Sequence, residues 1–320
     1  MSTNFSGQLY QFDSVPVASA GIPFLTPAWE SNSGTSEQQY GRYYWVGKGG
    51  DDNNDGSNWE KRKATIAAAI TLANADIDSG WAVSPWAPSA VIVIAPGKYA
   101  ENLTAMPYGC TIVGLGDAFD LNGERGVTIK PASGSPVDCT SIINSRIQNI
   151  CFESADTSPC FDVENFNRNI VEGCLFAGNT SNTTSHCFRV KDETNADGNG
   201  DMTGSRFINC VFHRGVIGFE VETDNGSSKQ ASGNIIEHCY FTGCSAKGIY
   251  FHADCVPSFT VINHCVVGDG STTLALGLDD DTTSVGVSNT VFQATANDPA
   301  TASGGKYNGC YLNGALLTQS

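Results

Sequence analysis

The stretch "IIEHCYF", residues 235–241, decides the fold because close variants of it recur along the chain. The variants are "QNICF" (148–152), "VEGCLF" (171–176), "FINCVF" (207–212), "INHCVV" (262–267), "VSNTVF" (287–292) and "YNGCYL" (307–312). A small residue that repeatedly precedes a larger apolar one by two positions could belong to a disulfide framework, to a metal site, or to a stack inside a repeating fold.

Aligned on the larger residue, the variants form two columns. The small column contains Ile150, Cys174, Cys210, Cys239, Cys265, Thr290 and Cys310. The large column contains Phe152, Phe176, Phe212, Phe241, Val267, Phe292 and Leu312. Successive rows are 24, 36, 29, 26, 25 and 20 residues apart. A period in the twenties with variable insertions is typical of a solenoid whose rungs differ in their loops.

The cysteines fit a stack better than a disulfide framework or a metal site. No apolar run near the first residue resembles the hydrophobic region of a secretion leader, so we expect the 12 cysteines to be reduced. A free cysteine packs as a small hydrophobe. Zinc could be drawn from Cys239, Cys244, His252 and Cys255, but this spacing fits no common zinc pattern. The sequence therefore predicts a buried core ladder of free thiols: Cys174, Cys210, Cys239, Cys265 and Cys310.

The residues around the columns predict short strands joined by tight bends. The position before the small column is occupied by Asn149, Gly173, Asn209, His238, His264, Asn289 and Gly309. Asn and Gly tolerate a left-handed backbone, and His is also enriched there. A further strand follows in most rungs, as in "CFRVKD" and "GFEVETD", where apolar and polar residues alternate. The pattern predicts an all-β parallel solenoid of roughly eight or nine rungs.

The motifs resemble those of right-handed parallel β-helices of the pectate-lyase-like (pectin lyase-like) family, which includes bacteriophage tailspikes. Besides the repeat, three segments carry the resemblance: "YYWVGKGGDDNNDGSNWEKRKATIAAAITLANA" (43–75), "VIVIAPGKYAENLT" (91–104) and "GCTIVGLGD" (109–117). The resemblance covers about residues 40–315 and implies the fold. It does not imply one activity, because lyases, hydrolases, isomerases and non-enzymatic spikes share this scaffold.

Two segments are predicted. Residues 1–39 are rich in Pro, Gly and Ser, and we expect an extended N-terminal arm for attachment and assembly. Residues 40–320 form the β-helix domain, with a capping helix near 65–74. Ile66, Ala69, Ile70 and Ala73 give this helix one apolar face, and Thr65 is its expected N-cap. The helix would cover the open end of the rod, where an unpaired strand edge invites aggregation.

Composition excludes two classes of partner. The chain has 17 Lys and Arg against 33 Asp and Glu, a formal charge of −16, which opposes binding to nucleic acid. Its longest apolar runs are only as long as strands, so we expect no membrane insertion. Without a recognisable leader, we expect synthesis in the host cytoplasm and a final location in the virion.

The strand after each bend supplies candidates for acid and base. Its first outward column contains Asp162, Arg189, Glu220, Tyr250 and Gly277, and its second contains Glu164, Lys191, Glu222, His252 and Asp279. A cation between two anions favours a solvated structural ladder over a catalytic pair. A glycosidase needs two facing carboxylates about 5–9 Å apart. The candidates are Glu220, Glu222, His252 and Asp254, and no catalytic cluster is assigned.

The loop "DDNNDG" places Asp51, Asn53 and Asp55 in the order of the first half of a calcium loop. The twelfth position is Arg62, where a bidentate Glu would be needed. We therefore expect a polar turn, with these three residues as the metal candidates, and no cofactor.

The position between the two core columns should point outward, and it is mostly apolar. The predicted oligomer interface consists of Leu175, Val211, Tyr240, Val266, Val291 and Tyr311. An apolar stripe on a rod indicates a contact surface, most simply in a closed homotrimer.

These observations together predict a phage virion spike or fibre protein of tailspike type. It would be a homotrimer, held to other virion proteins by its N-terminal arm, and it would contact host-surface polysaccharide. The alternative is a polysaccharide-degrading lyase or glycoside hydrolase on the same scaffold.

Overall fold

Within the residues that the structure describes, the chain forms three long sheets and one helix. The computed structural model describes residues 11–12, 15–16, 42–76, 90–119, 124–178, 185–191, 201–222, 229–252, 255–268, 274–278, 285–293 and 305–317. From Cys110–Gly114 to Val291–Phe292, successive strands of the three long sheets pass from the first sheet to the second, then to the third, and then return to the first one rung further on. Within each sheet, strand order follows chain order, as in a parallel β-helix.

The first sheet has ten parallel strands: Arg42–Val46, Ala90–Ile94, Cys110–Gly114, Arg146–Gln148, Ile170–Glu172, Arg206–Ile208, Ile235–Glu237, Thr260–Asn263, Val285–Ser288 and Gly305–Asn308. The second sheet also has ten strands: Gly97–Tyr99, Val127–Ile129, Ile150–Glu153, Leu175–Ala177, Val211–His213, Tyr240–Thr242, Val266–Val267, Val291–Phe292, Tyr311–Leu312 and Ala315–Leu316, the last one antiparallel. The third sheet has six parallel strands: Val137–Ile143, Phe161–Asn167, His186–Val190, Ile217–Val221, Lys247–Phe251 and Leu274–Leu278.

Two short strand pairs complete the described secondary structure. Lys229–Gln230 pairs with Cys255–Val256, and Gln11–Phe12 pairs with Val15–Pro16. The remainder of the predicted N-terminal arm, residues 1–39, lies outside the described residues.

Stacked phenylalanines fill the rod. In the second sheet the ring centroids of Phe176 and Phe212 are 5.1 Å apart, and those of Phe212 and Phe241 are 4.5 Å apart. The cysteine column stacks beside them in the same core, and all 12 cysteines are free and buried. Burial raises the pKa of the Cys239 thiol well above its ordinary value. Cys239 therefore contributes packing rather than reactivity.

The position before the small column, called the bend column here, has a left-handed backbone in each of the seven repeats. The non-glycine members have φ between 48° and 55°: Asn149, Asn209, His238, His264 and Asn289. Gly173 has φ 62°, and a Cβ there would lie 2.7 Å from the Asn149 side-chain oxygen of the preceding rung. The bend thus needs a left-handed backbone, and at Gly173 it also needs a residue without a side chain, because the Asn149 side chain occupies that space.

A second ladder, made of polar side chains, lies in the turn just before the strands of the first sheet. Ser145, Asn169, Ser205 and Asn234 occupy successive rungs and are buried. The Asn169 side-chain oxygen accepts the Ser145 N–H at 2.9 Å, and the Asn234 oxygen accepts the Ser205 N–H at 2.9 Å. The two asparagines also donate to backbone carbonyls, so these polar side chains are satisfied inside the core.

The helix, α1, spans Ile66–Asp76 and its apolar face packs on the end of the core. Thr65 Oγ1 accepts the Ala68 N–H at 3.2 Å, as expected of an N-cap. The Glu101 carboxylate accepts the next two amides, those of Ile66 and Ala67, at 3.0 and 2.9 Å. Burial raises the pKa of Glu101, although these hydrogen bonds oppose the rise. No helix in the described ranges has the length and apolar character needed to cross a membrane.

Candidate functional site

The outer face of the third sheet brings the candidate residues together. Asp162, Arg189, Glu220 and Tyr250 lie in consecutive paired positions across four strands. The candidates Glu222 and His252 follow directly after two of these strands. Asp254 and Asp279 lie outside the described residues.

A local irregularity adds His186 to this face. In the strand His186–Val190, the consecutive residues Cys187 and Phe188 both belong to the core. Strict alternation would send one of them outward. Because both turn inward, the preceding side chain, His186, points outward and its Nδ1 contacts Glu220 Oε2. This residue was not among the sequence-based candidates, and alternation counted from Phe188 would have placed it inside.

Glu220 is held between two imidazoles from neighbouring rungs. Its carboxylate contacts His186 on one side and His252 Nε2 on the other, at 2.8 Å. Glu220 is only 2% exposed, and burial alone would raise its pKa. The hydrogen bonds and charge interactions with the two histidines outweigh burial and lower the pKa to about 2. Glu220 is therefore ionised at neutral pH.

Arg189 joins two carboxylates through its planar fork. Its Nε and Nη2 donate to Asp162 at 2.8 and 3.0 Å, and its Nη1 donates to Glu222 Oε1 at 3.0 Å. Burial opposes the charge on Arg189, but the hydrogen bonds and charge of Asp162, followed by the charges of Glu222 and Glu220, raise its pKa. The cation thus binds Glu222 diagonally rather than Glu220 beside it in the column, because the histidines already occupy Glu220.

Lys191 extends the network toward the first strand of the sheet. Its Nζ lies 2.5 Å from Asp138 Oδ1 and 3.7 Å from Asp162 Oδ2. Burial lowers the pKa of this ammonium, but the hydrogen bond to Asp138 and the charge of Asp162 raise it overall. Both cations predicted for these columns are therefore neutralised by carboxylates.

An aromatic group stands at the other end of the network. The Tyr250 and His252 ring centroids are 4.2 Å apart, and Lys247 Nζ lies 2.8 Å from the centre of the Tyr250 ring. His252 has a side chain 30% exposed, whereas Glu220 beneath it is almost wholly enclosed. The partly accessible groups on this face thus include the His252 imidazole, the Glu222 carboxylate and the paired cations Arg189 and Lys191, which suit a ligand rich in hydroxyl groups.

The three metal candidates form turns within their own loop. Asp51 Oδ1 accepts the Asn53 N–H at 2.9 Å, and Asp55 Oδ1 accepts the Ser57 N–H at 3.0 Å and its hydroxyl at 2.7 Å. Among the residues that the structure describes, no group of three or more His, Cys, Asp or Glu side chains is arranged to hold a metal ion.

The predicted interface residues lie in one column on the outer face of the second sheet. Pairing joins Leu175, Val211, Tyr240, Val266, Val291 and Tyr311 in that order, and this column is the apolar stripe. Leu175 is buried in a small cluster with Cys151, Ala177 and Val211. Tyr240 and Tyr311 are exposed. The strands from Leu175–Ala177 to Tyr311–Leu312 contain no Asp, Glu, Lys or Arg.

Comparison with known proteins identifies the scaffold. No family model matches the chain, and no curated protein matches it either. Among solved structures, pectate lyase Pel9A is similar over 88% of this chain and 78% of its own, with 13% identity and a TM-score of 0.50. Pectin methylesterase PemA from Erwinia chrysanthemi is 14% identical over 86% of this chain and 91% of its own, with a TM-score of 0.47. A rhamnogalacturonan lyase is 15% identical over 87% of this chain and 75% of its own, with a TM-score of 0.46.

At these identities the similarity concerns the fold alone. The likeness to Pel9A, together with the three parallel sheets, confirms the predicted class, a right-handed parallel β-helix.

Proposed function

We propose that the chain is the rod of a phage virion spike or fibre of tailspike type, which binds a host-surface glycan on the outer face of its third sheet without cleaving it. In this proposal three copies associate along the apolar stripe. The N-terminal arm attaches the rod to other virion proteins, and the protein resides in the virion.

The state of Glu220 is the observation that carries the non-catalytic part of the proposal. A general acid for glycoside cleavage must be protonated at the working pH and must reach the glycosidic oxygen. Glu220 has a pKa of about 2, is almost fully buried, and is occupied by two imidazoles. Arg189 likewise binds two carboxylates, so it has little capacity left to neutralise a uronate. Such a face suits recognition better than bond cleavage.

The charge distribution supports association along the second sheet. The chain carries a formal charge of −16, so two copies repel each other wherever acidic faces meet. The strands of the apolar stripe carry no Asp, Glu, Lys or Arg, and both of its tyrosines, Tyr240 and Tyr311, are exposed. Copies can therefore approach along this stripe without opposing like charges.

One contact favours the enzymatic alternative. His252 is partly exposed and its Nε2 is held by a buried carboxylate, the arrangement in which a carboxylate orients a histidine base. A lyase or hydrolase built on this pair would depend on both residues.

The two proposals are separated by incubating the purified full chain with host capsular polysaccharide or lipopolysaccharide. We expect the glycan to be retained on the protein with no release of oligosaccharides. Release of oligosaccharides by the wild type, lost in Glu220→Gln and in His252→Gln but kept in Glu237→Gln, would establish the enzyme instead. Glu237 is the matched control because it is a partly exposed carboxylate on the first sheet, paired with Arg206 at 2.7 Å.

A further inference from the structure

Two of the five histidines stand side by side on the edge between the first and second sheets. His238 and His264 occupy the bend column on adjacent rungs. Their rings are parallel to within 3°, with centroids 5.1 Å apart, and both residues are exposed. This pair lies apart from the His186 and His252 pair on the third sheet.

The bend does not require histidine at these positions. Both residues have left-handed backbones, with φ of 55° and 51°, and the other rungs meet the same requirement with Asn or Gly. Histidine tolerates this conformation but is not needed for it. Asn or Gly would be enough for this backbone. The presence of two adjacent imidazoles therefore indicates a role for the rings themselves.

The backbone fixes the separation of the pair. The His238 N–H donates to the Asn263 carbonyl, and the His264 N–H donates to the Ser288 carbonyl, each at 3.1 Å. Each bend is thereby tied to the rung that follows it. Only the two side-chain torsions of each histidine are left to adjust, so little conformational entropy opposes the binding of one ligand by both rings.

The rings are open to an additional partner. Within the described ranges, their mutual stacking is the one side-chain interaction that either ring makes. Neutral imidazole is the commonest protein ligand for divalent transition metals. With metal–nitrogen bonds of about 2.0–2.1 Å, two ligands in tetrahedral geometry have nitrogens about 3.4 Å apart. To bind one ion, the two exposed rings would have to tilt toward each other from their parallel stacking at 5.1 Å.

We propose that His238 and His264 together form a surface chelate for a divalent transition-metal ion such as Zn²⁺ or Ni²⁺, with water in the remaining coordination positions. The site uses a different edge of the rod from the glycan face, so it stands or falls independently of the proposed function. Among Cu²⁺, Ni²⁺ and Zn²⁺, we expect Cu²⁺ to bind most tightly, following the general order of affinity of these divalent ions.

Isothermal titration calorimetry of the full chain with ZnSO₄ and NiCl₂ tests the site. We expect one ion per chain, and affinity at least tenfold weaker in His238→Asn and in His264→Asn. Both substitutions keep a residue that this column already uses. Asn209→His would place a third imidazole on the adjacent rung, also at φ 53°, and should tighten binding at least tenfold. Asn289→Gly is the matched control in the same column and should leave affinity unchanged.

Thermal unfolding of each variant verifies that the rod is intact. Absence of binding by the wild type, or equal affinity in the wild type and both histidine variants, would overturn the proposal. An Asn209→His variant that binds no more tightly than the wild type would do the same.

Discussion

The inner faces of the second and third sheets are lined by similar residues, but their outer faces differ in charge and polarity. Inside, both are lined by stacked phenylalanines, as in the pairs Phe176 with Phe212 and Phe188 with Phe219, each 5.1 Å apart. Outside, the third sheet carries a network of ion pairs, while the second carries an uncharged apolar stripe. The inner columns thus define the rung, and each outer face can acquire its own role because outward residues do not contribute to the core.

The largest expected effect distinguishes a buried ion pair from an exposed one. Arg189→Met removes the cation between Asp162, whose side chain is 7% exposed, and Glu222. Because the buried Asp162 loses both hydrogen bonds from Arg189 and keeps only Lys191, at 3.7 Å, we expect a loss of about 4 kcal/mol in the free energy of unfolding. Urea denaturation at pH 7 measures it.

Arg206→Met is the matched control for Arg189→Met. Arg206 pairs with Glu237 at 2.7 Å, but its side chain is 45% exposed, so the loss should be below about 1 kcal/mol. Equal losses in the two variants would mean that the third-sheet network is as solvated as an ordinary surface pair.

The next effect concerns acid stability. The pKa of Glu220 is about 2 in the folded protein, against an ordinary value of 4.5. A lowered carboxyl pKa stabilises the folded state above pH 4.5, and this contribution is lost as pH falls toward 2. At 1.36 kcal/mol per pKa unit, the loss is about 3 kcal/mol. Urea denaturation between pH 5 and 2.5 should therefore show a steeper decline for the wild type than for Glu220→Gln.

Glu172→Gln serves as the comparison carboxyl for this pH series. Its pKa is also lowered, first by the Arg146 hydrogen bond, but it belongs to a partly exposed ion pair on the first sheet. The free energy of unfolding of Glu172→Gln should therefore fall with pH almost as steeply as that of the wild type. Parallel curves for the wild type and Glu220→Gln would contradict the stabilisation of ionised Glu220 by His186 and His252.

The sequence predicted the columns of this fold because identical constraints act on every rung. A left-handed bend admits few residue types, and an inward position between two others of its kind must match their volume. Positions such as Asn209, Cys210 and Phe212 could therefore be aligned despite insertions of very different length. The paired positions in the sheets coincide with that alignment.

The contacts that sequence reasoning missed depend on local geometry rather than on the repeat. The polar ladder of Asn169 and Asn234 is buried, although polar residues near a bend are ordinarily taken as exposed. His186 turns outward because the strand departs from alternation at Cys187. Arg189 donates to Glu222 and not to Glu220, the next residue in its column, because Glu220 already binds histidine. Each of these contacts depends on which partner lies close enough in three dimensions, and the aligned positions of a sequence repeat do not show that.

The smallest effect on stability, and the most informative one for assembly, is expected on the second sheet. Val266 is a half-buried member of the apolar stripe, and its side chain lies outside the core of its own chain. Val266→Asp should change the free energy of unfolding of a single chain by no more than about 0.5 kcal/mol. In an assembled rod it would bury an unpaired carboxylate, which is strongly unfavourable.

Analytical ultracentrifugation therefore separates these two consequences. We expect a trimer for the wild type and for Val266→Thr, which keeps the shape of the side chain without a charge, and a monomer for Val266→Asp. A monomer for all three would remove the apolar stripe as an interface and leave the contrast between the two faces without a role in assembly. A trimer that survives Val266→Asp would place the interface on another face of the rod, where charges of opposite sign would have to meet because the chain as a whole is strongly acidic.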